Sequence, residues 1–429
     1  MLNRFVAVCP VIVFLGCWIM PATAANKPNI ILIMADDIGY ECYGCYGSEQ
    51  YTTPHIDRLA KQGLRFEHCY SQPLCTPSRV KIMTGISNVR NYAGFSILNQ
   101  DQTTFGHRLQ AAGYKTFIGG KWQLLGAEHY SKQFRGKGSW PLKTGFDECC
   151  LWQVDRLGDR FWNPLLYDGE ENQQYKPDDY GPDIITDRIE QFIETNQDEP
   201  FFVYYPMILV HNPFLPTPGS ESRQSKDKQK NFEDMVAHMD QQVGRITKKV
   251  QDLGIEKETL ILVTGDNGTN KAIKSVLGDR VIRGGKGQTT DAGTRVALVA
   301  YQPGTVPSNA VNQDLIDFSD FVPTFQELAG EPVPDGLDGI SFASQLRGEP
   351  GTPRDTIFCY YNPRPEKTEP KRFVRNQRWK LYGDGSFYDV ASDPEEKHPI
   401  AESNADRERL TKALNAMPAE GESLLEFAN

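Results

Sequence analysis

The chain has 429 residues, 24% of them charged, and a formal net charge of −10. That length exceeds one small core and fits a large α/β domain with a smaller companion. The acidic balance and the lack of a long Lys/Arg run speak against nonspecific nucleic-acid binding. No low-complexity tract is present, and an anionic substrate would need a local basic cluster inside an acidic protein.

Residues 1–25 read as a secretory leader. Arg4 gives a basic start, Phe5 to Met20 is apolar, and Ala22-Thr23-Ala24-Ala25 offers a small-residue cleavage site. The apolar run is short and contains Pro10, which argues against a membrane anchor. Lipid attachment at Cys17 is a minor alternative. The expectation is a secreted or periplasmic protein with no stable membrane association. Seven of the nine cysteines lie beyond the leader, so at least one is unpaired in an exported protein. Cys75 is the candidate. Cys42 and Cys45 form a C-x-x-C without a second pair to complete a zinc site, and a local disulfide or buried thiols fit better.

Asn29 to Met34 is a continuous apolar run, as expected of a buried parallel strand, and ends in Ala-Asp-Asp. In open α/β sheets ligands bind beyond that end. Asp36 and Asp37 would point apart in a plain strand; Gly39 lets the chain turn so that both reach one centre. The stretch Ser71 to Gly85 places Cys75 two positions before Pro77, with Thr76 as an expected N-cap and Val80, Ile82 and Met83 as an apolar face. Cys75 should then sit at a helix N-terminus that favours an anion, with Arg79 one turn in, and a thiol there would be activated.

Thr104 to Ala112 reads as a helix and Tyr114 to Gly120 as a strand that delivers Lys121 to the same sheet edge. From Ser131 to Asp183 there is little regular pattern. Trp140, Trp152 and Trp162 fall here with Arg156, Arg160 and several acids; a substrate-facing insertion is one reading, since aromatic faces suit sugar rings, and packing beneath long loops is the expected one. A helix around Ile184 to Ile193 precedes a strand, Phe201 to Tyr205, with His211 beyond its carboxyl end. Residues 219–230 read as a mobile surface loop. Met235, Met239, Val243, Ile246 and Val250 mark a long amphipathic helix. Thr259 to Val263 is a further buried strand that brings Asp266 and Asn267 to the edge holding Asp36 and Asp37. Four oxygen side chains from two strand ends suggest a hard-cation site. Lys286 lies between glycines, so backbone and amine can approach an anion closely. A strand from Arg295 and a helix from Ile316 to Leu328, bent at Pro323, come next. Near Gly348 to Pro353 the organisation changes. Phe373-Val374, Trp379 to Tyr382 and Phe387 to Asp389 read as short antiparallel strands around the turn Gly383-Asp384-Gly385, and Asp406 to Met417 as a last helix. The expected division is 1–25 leader, 26–347 catalytic domain and 348–429 C-terminal subdomain.

Several of these motifs together carry a resemblance. Cys75-Thr-Pro-Ser-Arg79, preceded by TTPHIDRLAKQGLRFEHCYSQPL, resembles the signature of the type I sulfatases. GYKTFIGGKW around Lys121 resembles their second signature, His211-Asn-Pro-Phe their His-x-Pro-Phe, and Gly284-Gly-Lys-Gly their glycine-lysine motif. Three departures stand out: Ile86 for a basic residue, Gln123 for a histidine, and Asp291-Ala292-Gly293 for Glu-Gly-Gly. The resemblance covers nearly the whole mature chain. It implies an alkaline-phosphatase-like α/β fold, a mixed sheet flanked by helices, with a small antiparallel α+β domain at the C-terminus. It implies sulfate-ester hydrolysis, with Cys75 oxidised to formylglycine by a formylglycine-generating maturation enzyme. Asp36, Asp37, Asp266 and Asn267, with residue 75, would ligate one Ca2+, whose preference for oxygen donors they suit. Arg79, Lys121 and Lys286 would neutralise sulfate oxygens, and His211, with Lys286, would protonate the leaving alcohol. The partner is then a sulfated small molecule or glycan, more readily a carbohydrate. Two rivals stay open: a phosphodiesterase or phosphonate hydrolase of the same superfamily, and a non-catalytic binder of sulfated glycans.

Overall fold

The structure is a computed structural model that describes residues 27–365 and 367–421. The leader expected at 1–25, with Cys9 and Cys17, lies outside the described residues. The strands are β1 (Asn29–Ala35), β2 (Leu64–Tyr70), β3 (Lys115–Lys121), β4 (Glu148–Trp152), β5 (Leu165–Asp168), β6 (Glu171–Gln174), β7 (Phe201–Pro206), β8 (Thr259–Gly265), β9 (Lys274–Leu277), β10 (Arg280–Arg283), β11 (Arg295–Tyr301), β12 (Ala310–Asp317), β13 (Ile357–Tyr361), β14 (Lys371–Arg375), β15 (Trp379–Tyr382) and β16 (Phe387–Asp389). Ten of them form one mixed sheet in the order β12-β2-β11-β8-β1-β7-β3-β4-β5-β6. Only β11 and β5 run against the rest, so the strands at its centre share one carboxyl edge. Four strands, β13 to β16, make a separate antiparallel sheet. The expected fold class is the observed one.

The unbroken apolar run of β1 follows from burial on both faces. Ile31 and Ile33 join one core with the helices Pro54–Gln62, Gly181–Thr195 and Lys228–Asp252, including Met235 and Met239. Ile30 and Leu32 join the other core with Val80 and Ile82, Phe105 and Leu109, and Phe321 and Phe325. Period-two alternation therefore sends successive side chains into different cores.

Several local expectations need correction. The 131–183 region is not irregular: it holds β4, which extends the main sheet, and the β5-β6 hairpin. The hairpin turns at Gly169, with φ +67°, in an Asp168-Gly169 pair that is itself a turn signal. The β9-β10 hairpin, β12 and β13 were likewise illegible as isolated short runs. Ile316 lies in β12, and the helix begins at Phe321. Pro323 therefore sits in its first turn, where a missing N–H needs no partner, and bends nothing. The surface loop after residue 219 ends at Asp227, whose carboxylate caps the long helix by accepting from Gln229 N and Lys230 N. All seven described cysteines are free thiols, including Cys42 and Cys45.

Candidate active site

Three strand ends are stitched together beyond the carboxyl edge. Asp36 N donates to Leu209 O at 2.8 Å and Val210 N to Asp36 O at 2.9 Å, while Asp266 N donates to Ala35 O at 2.8 Å. Asp37 N then donates to Asp266 Oδ1 at 3.0 Å. The turn that aims both Asp36 and Asp37 inward is made by Asp37 itself, with φ +61°, and not by Gly39. A left-handed non-glycine residue is uncommon and marks a functional constraint. A Cβ at Gly39 would come within 2.2 Å of the Glu41 carboxylate, so that side chain would have to move.

The helix carrying Cys75 spans Cys75–Thr84, with Leu74 as its N-cap and no side-chain cap bond. Thr76 is inside it, and its Oγ1 accepts from Ser96 N at 3.2 Å. Every residue of this helix is buried, so it has no single apolar face. Cys75 does sit at the helix N-terminus. Its thiol, however, is pushed up by burial, which outweighs the pull of Lys121 and Lys286. The unmodified thiol is therefore not an activated one.

The expected site residues converge. Cys75, Asp36 and Asp266 each offer a ligand atom within 4.8 Å of the others, and so do Asp36, Asp37 and His211. Asn267 Nδ2 donates to Asp37 Oδ1 at 2.9 Å and to Gly268 O at 3.0 Å, which turns its amide oxygen the other way. Asn267 Oδ1 and Asp36 Oδ1 are buried with no partner among the described residues. Orphaned buried oxygens of that kind are costly in a native protein. An all-oxygen set with unused lone pairs fits a hard divalent cation. Asp266 is pushed well up by burial and by the neighbouring Asp36, the repulsion that a cation would relieve.

The cations surround this pit. Lys121 Nζ donates to Asp36 Oδ2 at 2.7 Å; against burial, that contact with His211 and Lys286 holds Asp36 well below the usual carboxylate range. Lys286 Nζ donates to Asp37 Oδ2 and lies 3.0 Å from His211 Nε2. His211 Nδ1 faces Asn212 O at 2.6 Å, so Nδ1 carries the proton and Nε2 accepts from Lys286. Burial lowers His211 to about 4 and keeps it neutral. Lys286 is pushed up despite burial by Asp37, Cys75 and Asp36. Its loop is fixed on both sides: Lys286 N donates to Thr269 O at 3.0 Å and Gly287 N to Pro73 O at 2.7 Å. Gly285 is needed because a Cβ there would come within 2.3 Å of the Ala292 carbonyl carbon. Arg79 is buried beneath the site. Its Nη1 donates to Lys121 O at 2.8 Å and also to Trp122 O, while Nε and Nη2 are left without partners among the described residues.

Position 123 is held by a network invisible in sequence. Gln123 Oε1 stands 3.9 Å from Cys75 Sγ. Gln123 Nε2 donates to Tyr130 OH at 2.8 Å, and Gln153 Nε2 donates to the same hydroxyl at 3.2 Å. Both glutamines have left-handed backbones, φ +47° and +58°, at the ends of neighbouring strands. His129 contacts Gln153, at 3.3 Å, rather than residue 75. Arg160 is the other residue missed, since an arginine among tryptophans gave no signal of its own. Of those rings Trp152 is buried, Trp162 half-buried, and Trp140 lies 42% exposed rather than beneath a loop.

With the geometry in place, comparison with known proteins is direct. Residues 28–331 match the sulfatase family model, and residues 286–420 match that of the N-sulphoglucosamine sulphohydrolase C-terminal region. Arylsulfatase A of Homo sapiens is 31% identical over 444 aligned residues, covering 94% of this chain and 84% of that protein. Among solved structures, i-CgsB has a TM-score of 0.76 at 25% identity, covering 92% of this chain and 94% of its own. BT4656, solved with its substrate D-glucosamine-2-N,6-O-disulfate, has a TM-score of 0.73 at 22% identity, covering 91% and 97%. A family model that spans most of the chain, and a relative above 30% identity over most of both chains, make this chain a sulfuric ester hydrolase of the sulfatase family within the alkaline phosphatase superfamily.

Proposed function

We propose that the protein is a secreted sulfatase that removes sulfate from a carbohydrate, using formylglycine made from Cys75 and one bound Ca2+. The observation that carries the reading is the pair of buried, unpartnered oxygens on Asp36 and Asn267, beside Cys75 and two lysines. Asp36, Asp37, Asp266, Asn267 and residue 75 would hold the cation, which would orient the sulfate and stabilise a negatively charged nucleophile. Secretion rests on the leader-like residues 1–25; among the described residues no helix is long and apolar enough to cross a membrane. A carbohydrate is favoured by the sugars bound in two structural relatives, a disulfated glucosamine in BT4656 and a neocarrahexaose in i-CgsB.

A plain thiol would form a thiosulfate ester that water reverses poorly. A hydrated aldehyde at position 75 supplies one hydroxyl to take the sulfuryl group and a second to release it. The chain's own residues then divide the work. Lys121 and Lys286 neutralise charge that develops on the sulfate oxygens, with Arg79 steadying the strand end from below. Lys286 holds the mobile proton, because its partner His211 is neutral and accepts from it. The two act as one donor to the leaving alcohol. Gln123 presents its carbonyl oxygen to residue 75 and can accept a hydrogen bond there, but it cannot take the proton.

The test is mass spectrometry of the tryptic peptide Phe66 to Arg79 from a host that possesses the maturation machinery, with Cys69 as the unmodified reference. Conversion of the thiol to an aldehyde at residue 75, together with sulfate release from sulfated sugars, is expected. Intact cysteine in a host competent on a control sulfatase overturns the nucleophile.

A further inference from the structure

Arg160 stands in the loop between β4 and β5, against the N-terminus of the Gly181–Thr195 helix. Gly181 N donates to Phe161 O at 2.7 Å, and a Cβ at Gly181 would come within 2.1 Å of Arg160 O, so the backbone has no slack. The guanidinium lies flat over Trp152, its carbon 3.6 Å from the ring centroid. Trp152 is itself locked by Nε1 donating to Gly158 O at 2.7 Å. The stack fixes the plane of the guanidinium and leaves its edge free. Nη1 at that edge is buried and has no hydrogen-bond partner among the described residues. Burial pushes this guanidinium down, while the charges of Asp36, Asp37 and Cys75 act the other way.

The same residue walls a cleft of about 620 Å³ with Trp152, Leu157, Trp162, Pro213 and Leu215. That is within the range of small-ligand sites. Pro213 comes directly after His211 and Asn212, so one wall of the cleft belongs to the segment that carries His211. Leu157 is 50% exposed and offers an apolar face of the kind a pyranose ring covers. Arg223 lies over Trp162 at 3.4 Å, which covers that ring as Arg160 covers Trp152. Sugar stacking on these tryptophans is therefore not what the cleft provides. It provides an apolar wall, the carboxylate of Asp159 and the guanidinium of Arg160, whose Nη1 has no partner among the described residues, apart from the lysines around the pit.

We infer that the cleft takes the leaving sugar and that Arg160 binds a second anionic group, a sulfate or carboxylate, carried by that sugar. The inference rests on the carbohydrate reading above and narrows it to sugars with two negative groups. A planar fork with a buried, unused N–H matches an oxyanion, and its burial without one is unfavourable.

The experiment compares the mature enzyme with its Arg160→Gln and Arg160→Lys variants. The probes are an aryl sulfate and a panel of hexoses, hexosamines and uronates bearing one or two sulfates. The best sugar should carry two anionic groups, and Arg160→Gln should lower its kcat/KM by about 10- to 100-fold, chiefly through KM. The aryl sulfate should lose less than about 3-fold, and Arg160→Lys should recover part of the sugar preference. In a Cys75→Ala background, calorimetry should show the same loss of binding for the two-anion sugar alone. Disulfated sugars and sulfated uronates separate the two anion types. Equal losses on aryl sulfate and sugar would place Arg160 on the scissile group and overturn the inference, as would a singly charged best sugar or no loss in a folded variant. Turnover of aryl sulfate with none of the panel would remove the carbohydrate reading and this inference with it.

Discussion

Among the described residues, two of the places where charged side chains are buried are built differently. Between the main sheet and the small sheet, Asp291, Arg375, Lys380 and Glu396 are matched with one another. Arg375 pairs with Asp291 and lies over Tyr70, Lys380 meets Glu396 at 2.7 Å and Thr289 O, and Tyr382 OH donates to Glu396 at 2.5 Å. At the carboxyl edge Asp36, Asn267, Arg79 and Arg160 each keep a buried polar atom without a partner among the described residues. Both sets have lost water. Only the first has replaced it from within the chain. Matched burial holds structure together, and unmatched burial reserves a place for something the chain does not contain.

Substitutions can break that contrast. The largest effect is expected from Cys75→Ala, which should cut sulfate release by at least about 10⁴-fold without lowering the unfolding temperature, since nothing in the matched set changes. Next, Asp266→Asn should reduce activity by about 10²- to 10³-fold. Its effect on stability should depend on the ion. With any bound divalent cation stripped by a chelator, the variant should be as stable as the wild type or more so, because a crowded carboxylate is gone. On adding calcium, the wild type should gain about 2–3 kcal/mol at one hundred times its dissociation constant and the variant little, as read from thermal unfolding. Arg375→Ala should do the reverse. It strands Asp291 and should cost about 3–5 kcal/mol in denaturant unfolding, with kcat nearly unchanged in the folded fraction.

A smaller effect sharpens the comparison. His68 borders the matched set. Burial, with Arg295 and Arg375, lowers it to about 4 from its ordinary 6.5. The unfolded chain then binds the extra proton between those values, so stability is full above about pH 6.5 and falls as pH drops toward 4. The side chain is only partly buried, which brings the expected loss to about 1–2 kcal/mol. His68→Gln should flatten that part of the pH profile. An unchanged slope would assign the acid sensitivity to other groups.

The sequence was most legible where one short stretch both forms a strand and ends in its chemistry. Asn29 to Asp37 and Thr259 to Asn267 are of this kind, because burial on both faces imposes an apolar run and the carboxyl edge imposes the polar residues after it. It was least legible where geometry is set by pairing. Residues 148–152 become a strand only because β3 lies beside them, and β12 only because β2 does. The turn at Asp37 was assigned to Gly39 because composition shows which residues tolerate a positive φ, not which adopts one. Tyr130 and Gln153 left no trace, and Arg160 showed only as a neighbour of the tryptophans, since each depends on where a neighbouring loop lands. Gln123 showed itself as a departure from a motif, while its tether to Tyr130 did not.

One contact reaches across both regions. Lys81, on the same helix as Cys75, donates to Asp317 at 2.7 Å and to Phe358 O of β13 at 3.3 Å. The helix that presents the nucleophile at one end is thus bolted to the small sheet further along. The small sheet is no detachable appendage. A relative's version could be grafted on only if it offered a carbonyl at the same spot. A shift of β13 would be felt, through Lys81, by the helix that carries residue 75.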